Sequence, residues 1–297
     1  MYAIYKHMSI MSSPRQIVVQ LIASLLGIVM ATLISFVDYK ELCEQWKLHS
    51  ALSYALMVLC FFIGYRPEGT TNRAWIELPF GLSIQPSEVL KISTILTLAY
   101  FLEKYRNSIN EIKTLRKLIL IALVPIAAVA IQKDGGTLLI YIIMIACMFF
   151  AVGISSKLIF AAIGGAVVAS PLIWFKGLDA YQQNRVLALF HPDEYASIMW
   201  QQNMGRISIG SGRILGKGFL VDNHNSTPLA YNDFIFSFVA ESVGFIGTLA
   251  VLGLILFIWI RILSIARRSS DGRGIFICVG VFGMLMAQTV INIGMNL

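Results

Sequence analysis

From Asp233 to Ser264 the sequence runs for 32 residues in which only Glu241 and Arg261 are charged after the opening aspartate. As one α-helix this stretch is about 48 Å long, at about 1.5 Å per residue. A bilayer's hydrocarbon core is only about 30 Å thick, so such a helix has to tilt, break or protrude. No soluble domain explains a run of this length. Seven more apolar runs precede or follow it, at about 16–37, 49–65, 87–102, 116–131, 136–153, 157–175 and 275–297. Only 13% of the residues are charged, against about 25% in soluble domains. The expected fold is an all-α polytopic membrane protein with about eight transmembrane segments, forming a single membrane domain over 1–297.

The charges orient the bundle. Lys40, Lys47, Lys104, Arg106, Lys113, Arg116, Lys117, Lys157, Arg267, Arg268 and Arg273 fall in one set of loops. The opposite short segments hold only Lys6, Arg15, Arg66, Arg73 and Lys133. The richer set is expected on the cytoplasmic side, which puts the N-terminus and the segment 176–232 outside. Basic residues spread in this way orient a membrane protein and do not point to nucleic acid. Cys43, Cys60, Cys147 and Cys278 form no CxxC pair and lie near no His cluster, so they read as small apolar residues. No apolar core followed by a small-residue cleavage site marks a cleavable signal.

The extracytoplasmic segment 176–232 is long for a connection, and long connections are functional or disordered. It carries Tyr181, Phe190, Tyr195, Trp200 and Phe219, and the cations Arg185, Arg206, Arg213 and Lys217. Gly210-Ser211-Gly212 and Gly216-Lys217-Gly218 stand between the cations. Cations among glycines approach a phosphate through side chain and backbone; the alternative is a solvated loop whose glycines make turns.

Several charges lie inside or at the rim of the apolar runs. Glu88 and Lys91 are three residues apart, behind Pro86 at a helix start, and pair on one face. They suit either an ion pair that orients helices or a polar cavity open to the outside, and Asp134 falls on that same side. The short run 116–131 and the break at Gln132-Lys133-Asp134-Gly135-Gly136 suggest two broken helices lining a cavity. Glu241 follows Asp233 by eight residues, which in a continuous helix puts it on the same side roughly 12 Å deeper. For Asn232 and Asp233 themselves two readings stand: a helix cap with an acid in the first turn, or a functional carboxylate at the outer membrane surface.

Four stretches taken together resemble a known family. They are Asn72-Arg73-Ala74-Trp75-Ile76 with Gln85-Pro86-Ser87-Glu88 and Lys91; Gln132-Lys133-Asp134-Gly135-Gly136-Thr137; Ile207-Ser208-Ile209-Gly210-Ser211-Gly212 with Gly216-Lys217-Gly218; and Asp233-Phe234-Ile235-Phe236 with Ala240-Glu241 and Gly244. In this order and spacing the chain resembles the SEDS proteins (shape, elongation, division and sporulation), of the RodA, FtsW and SpoVE type. The resemblance implies a ten-span peptidoglycan glycosyltransferase that polymerises lipid II on the outer face of the bacterial cytoplasmic membrane. It implies Asp233 as the essential acidic residue, with Glu88, Lys91 and Asp134 as further family positions. It implies a class B penicillin-binding protein as transpeptidase partner, beside other divisome or elongasome proteins. The chain departs from the family at Lys133 and Gly135, where Q-P-D-L-G-T is common, at Met204-Gly205, and at Leu229 after Pro228. Arg15-Gln16 matches the opening of the second family span, and the chain stops before the family's last span, so eight of ten spans are expected.

The chemistry expected is an inverting glycosyl transfer. Asp233 acts as general base on the acceptor hydroxyl, and Arg185, Arg206, Lys217 or a divalent cation (Mg or Mn) stabilises the leaving pyrophosphate. The rivals are a lipid II flippase or other transporter, which suits buried Glu88, Lys91 and Asp134, and an inactive fragment or scaffold that docks a penicillin-binding protein.

Overall fold

A computed structural model describes residues 14–65, 73–78, 82–178, 180–221, 224–225, 227, 230 and 232–297. Asn72, Asn223, Pro228, Leu229 and Tyr231 lie outside the described residues, as do Lys6, Arg66 and the side chains of Arg15 and Tyr181.

The helices in chain order are α1 (Pro14–Ser35), α2 (Tyr39–Glu44), α3 (Trp46–Ile63), α4 (Pro86–Lys104), α5 (Ile112–Ile131), α6 (Gly135–Ala151), α7 (Ser156–Leu172), α8 (Ala180–Phe190), α9 (Ala196–Ser211), α10 (Ile235–Arg268) and α11 (Gly272–Asn296). Each of the eight apolar runs is one of these helices. α1, α3, α5, α10 and α11 are long and apolar enough to cross a membrane, while α6 and α7 are apolar but reach only 17 residues. α4 has the length, at 19 residues, but carries Glu88, Lys91, Glu103 and Lys104. Large side chains such as Leu120, Val124, Leu254 and Phe257 stand exposed on these helices, as they do where the surrounding solvent is lipid. The chain is a multi-pass membrane protein.

The described residues fall into two compact units. The first comprises 18–154 and 256–289. Its core is built on α4, whose Leu90, Leu98 and Leu102 are buried with Tyr141, Met144 and Met148 of α6 and Phe276 of α11. Gly280 of α11 lies so close to Ile95 and Met148 that a Cβ there would touch both, the small-residue contact by which membrane helices approach. Ahead of α4 a short hairpin pairs β1 (Ile76–Glu77) with β2 (Ser83–Ile84), antiparallel, with Ile76 opposite Ile84.

The broken-helix expectation for 116–136 is corrected here. α5 is a full 20 residues because it begins at Ile112, ahead of Lys113, Arg116 and Lys117. Those long side chains carry their charges outward while their stems stay on the helix, so counting only uncharged residues made the run look short. α5 and α6 are joined by a tight turn: Lys133 takes a left-handed φ of 57°, and Asp134 caps α6 by accepting from the Thr137 amide at 3.0 Å and hydroxyl at 2.8 Å. Proline, common at this position in the family, is locked near −65° and does not fit that turn.

The second unit comprises the described residues within 14–17, 155–255 and 290–297. The segment 176–232 is not a bare loop, since it folds α8 and α9, with Ala188, Met199, Gly205 and Ser208 buried. The oversized run after Asp233 breaks: within α10, Gly244 has φ 68° and ψ −170°, and the helix restarts behind it.

Candidate functional site

Asp233 stands in the turn Asn232–Phe234, ahead of the first residue of α10. The Asn232 carbonyl closes this turn, accepting from the Ile235 amide at 3.3 Å. Phe234 is buried and anchors the turn against Gly205 of α9, where an added Cβ would press on the Phe234 ring and the Ser237 hydroxyl. From the other side two amides of α11 hold the main chain. Asn292 Nδ2 donates to the Asp233 carbonyl at 3.1 Å, and Asn296 Nδ2 to the same oxygen at 3.0 Å. Asn296 Oδ1 in turn accepts from the Ser237 amide at 3.1 Å and hydroxyl at 2.5 Å. The backbone of Asp233 is therefore fixed while its carboxylate is left for other work. Burial pushes that carboxyl above the usual aspartate range, and the positive charge of Arg185 on α8 pulls it back in part.

Glu241 does something else. The eight-residue spacing suggested a common face with Asp233, but the helix starts only at Ile235, so the two-turn count does not apply. Glu241 is fully buried, and its Oε1 accepts from Lys217 Nζ at 2.7 Å, the Asn225 amide and Nδ2 at 2.9 Å each, and Ser211 Oγ at 3.0 Å. His224 donates from Nε2 to the Gly218 carbonyl at 2.8 Å, which leaves Nδ1 facing Glu241 Oε2 at 3.4 Å.

The glycine-rich stretches serve the same junction. Lys217 and Gly218 amides donate to the Glu241 and Ser242 carbonyls at 2.9 Å each; the Phe245 and Ile246 amides donate to the Arg213 and Ile214 carbonyls at 2.8 and 3.2 Å. These bonds satisfy backbone groups that the break at Gly244 releases, which is what a broken helix needs at membrane depth. Gly216 has φ 80° and packs directly on Gly244, with no room for a Cβ on either. The expectation that these glycines and Lys217 cradle a phosphate gives way to a splice across α10, with the Lys217 and Gly218 amides turned to protein carbonyls. Of the three pyrophosphate candidates, Arg185 is the one whose charge reaches Asp233, and Arg206 is exposed on α9.

In the other unit, Lys91 Nζ meets Glu88 Oε1 at 2.7 Å, the lysine fully buried and the glutamate side chain about half exposed at 48%. Asp134 accepts from Gln85 Nε2 at 2.9 Å while it caps α6, and Tyr141 donates to the Ser87 carbonyl at 2.7 Å. The Q-P-S-E stretch is thus tied to α6 at two points. Sequence reasoning passed over Asn292, Asn296 and Tyr141. The Asn pair had a signal, two amides four residues apart on one helix face in an apolar run.

A family model described as "Cell cycle protein", FTSW_RODA_SPOVE, matches residues 3–297. The chain belongs to this family. It is 29% identical over 281 residues to "Probable peptidoglycan glycosyltransferase FtsW" of Trichlorobacter lovleyi, covering 92% of this chain and 72% of that one. It is 31% identical over 225 residues to "Peptidoglycan glycosyltransferase MrdB" of Escherichia coli, covering 74% of this chain and 60% of that one. Among solved structures, one described under "Structural coordination of polymerization and crosslinking by a peptidoglycan synthase complex" superposes with a TM-score of 0.80 at 25% identity, over 96% of this chain and 80% of the other. The rod shape determining protein RodA of Thermus thermophilus shares the fold, with a TM-score of 0.68 at 23% identity over 99% and 79%.

Proposed function

We propose that this family member, a peptidoglycan glycosyltransferase by its kinship, polymerises lipid II with Asp233 as the general base. The observation that carries the reading is the setting of Asp233: an anchored backbone, a carboxyl raised by burial, and a cation on the neighbouring α8. The step balances simply. The acceptor hydroxyl gives its proton to the Asp233 carboxylate, its oxygen bonds the donor's anomeric carbon with inversion, and the bond from that carbon to the lipid pyrophosphate breaks. A carboxylate with a raised pKa is the better base for this proton. Arg185 is the nearest choice to meet the leaving pyrophosphate, with Arg206 second.

Among the described residues no three His, Cys, Asp or Glu side chains converge as a metal cage. A divalent cation would be held chiefly by the substrate's phosphates, as magnesium commonly is, and no step above runs through it.

The reading places the chain in the bacterial cytoplasmic membrane, with α8 and α9 outside and the α4–α5 connection inside, working beside a class B penicillin-binding transpeptidase. In a cysteine-free background, an impermeant thiol reagent added outside should label Asn203→Cys and not Asn110→Cys. The reverse pattern would invert the topology. For the chemistry, the full chain in proteoliposomes is given fluorescently labelled lipid II. Polymer from the parent and none from Asp233→Ala or Asp233→Asn is expected. Normal polymer from either variant ends the assignment, and lipid reorientation without polymer makes the protein a carrier.

A further inference from the structure

Two amides converge on one oxygen of the residue that matters most. Asn292 Nδ2 and Asn296 Nδ2 both donate to the Asp233 carbonyl, at 3.1 and 3.0 Å. A carbonyl oxygen has two lone pairs, and both are taken. Asn296 is completely buried, and its own oxygen grips the amide and hydroxyl of Ser237, in the first turn of α10. Asn292 also receives, on its carbonyl, the second hydrogen of the Asn296 amide at 2.8 Å. The end of α11 thus holds both the turn that carries Asp233 and the first turn of α10. Amides at Nδ2 donate and those at Oδ1 accept, so this clamp does not depend on pH and carries no charge that would compete with the carboxylate. Placing a reacting group within a few tenths of an ångström is worth orders of magnitude in rate.

We infer that Asn292 and Asn296 are positioning residues for the glycosyl transfer: they fix the Asp233 main chain so that its carboxylate meets the acceptor hydroxyl. The inference rests on the assignment of Asp233 as base. Neither asparagine touches the carboxylate, so neither is a catalytic residue.

The test uses the full chain in proteoliposomes with fluorescently labelled lipid II, and compares the parent with Asn292→Ala, Asn292→Ala/Asn296→Ala and Asp233→Ala. Asn292→Ala removes one donor at a half-buried position and should lower kcat at least tenfold with KM within twofold. The acidic limb of its kcat profile should move to lower pH, because a loosened turn admits water to the carboxyl. The double variant should lose a further tenfold; if it does not fold, Asn292→Ala alone decides. A kcat within twofold of the parent with an unmoved limb overturns the inference, and so does a loss carried by KM alone. Should Asp233→Ala polymerise like the parent, the base assignment itself has failed. Should Asp233→Ala be dead while Asn292→Ala behaves as the parent, only the positioning role has failed.

Discussion

Lys217 is fastened to Glu241 twice: its amide donates to the Glu241 carbonyl at 2.9 Å, and its ammonium to Glu241 Oε1 at 2.7 Å. The carboxylate side chain is 1% exposed and the lysine 21%. Lys217→Met therefore strands a buried charge, which typically costs about 3–5 kcal/mol; the remaining donors from Ser211 and Asn225 favour the lower end. Glu241→Gln together with Lys217→Met should recover most of the loss, read as thermal unfolding in detergent. The rescued double variant should keep the KM for lipid II. A raised KM in it would return Lys217 to pyrophosphate binding.

The eight helices were readable because each shows as an apolar run, and the break in α10 was foreseen as one of three ways to fit 32 residues into a bilayer. What the sequence could not show is where its polar groups find their partners. Asp134 reads as an intramembrane acid, yet it caps α6 and holds Gln85; Glu241 reads as a neighbour of Asp233, yet it faces Lys217, Ser211 and Asn225. Those partners sit up to 49 residues away in the chain, and local spacing carries no information about them. α8 and α9 were hidden for a different reason: their mean polarity resembles a loop, and only their burial against the rest of the unit marks them as packed helices.

Gly244 should tolerate no side chain. Its φ of 68° with ψ −170° belongs to a region open essentially to glycine, and a Cβ would strike the Gly216 amide and the Ile214 carbonyl. Strain of this kind costs of order 1–3 kcal/mol before the clash is counted. Gly244→Ala should lower the melting temperature clearly. Gly253→Ala, in open space on the same helix, should be neutral or stabilising. Equal melting of the two variants would mean that α10 runs unbroken.

Lys91 and Glu88 should respond unequally. The lysine is wholly buried and the glutamate half exposed, so the damage depends on which partner is left. Glu88→Gln strands a buried ammonium and should cost roughly 3 kcal/mol. Lys91→Met removes the buried charge and leaves a carboxylate that water can reach, so it should cost less. Folded yield and thermal unfolding of the two variants decide; a larger loss from Lys91→Met would show that the pair is not buried as described.

The titration of Asp233 ties stability to activity with a definite sign. Burial raises its folded pKa above the unfolded value. Between the two pKa values the folded chain holds the proton more tightly, so stability falls as pH climbs through that window and the ionised carboxylate is a burden at neutral pH. Asp233→Asn removes the burden: it should be at least as stable as the parent at neutral pH and more acid-indifferent, while making no polymer. Arg185 acts in the opposite direction, its charge favouring the ionised form. Arg185→Gln should therefore raise the Asp233 pKa further, and the acidic limb of the kcat profile should move to higher pH. The paired measurement is a pH series of melting temperatures beside a pH series of lipid II polymerisation rates. A limb that stays in place in Arg185→Gln would remove Arg185 from the electrostatics of the base. An Asp233→Asn variant less stable than the parent at neutral pH would show that the carboxylate makes a structural bond, and the base would have to be sought elsewhere.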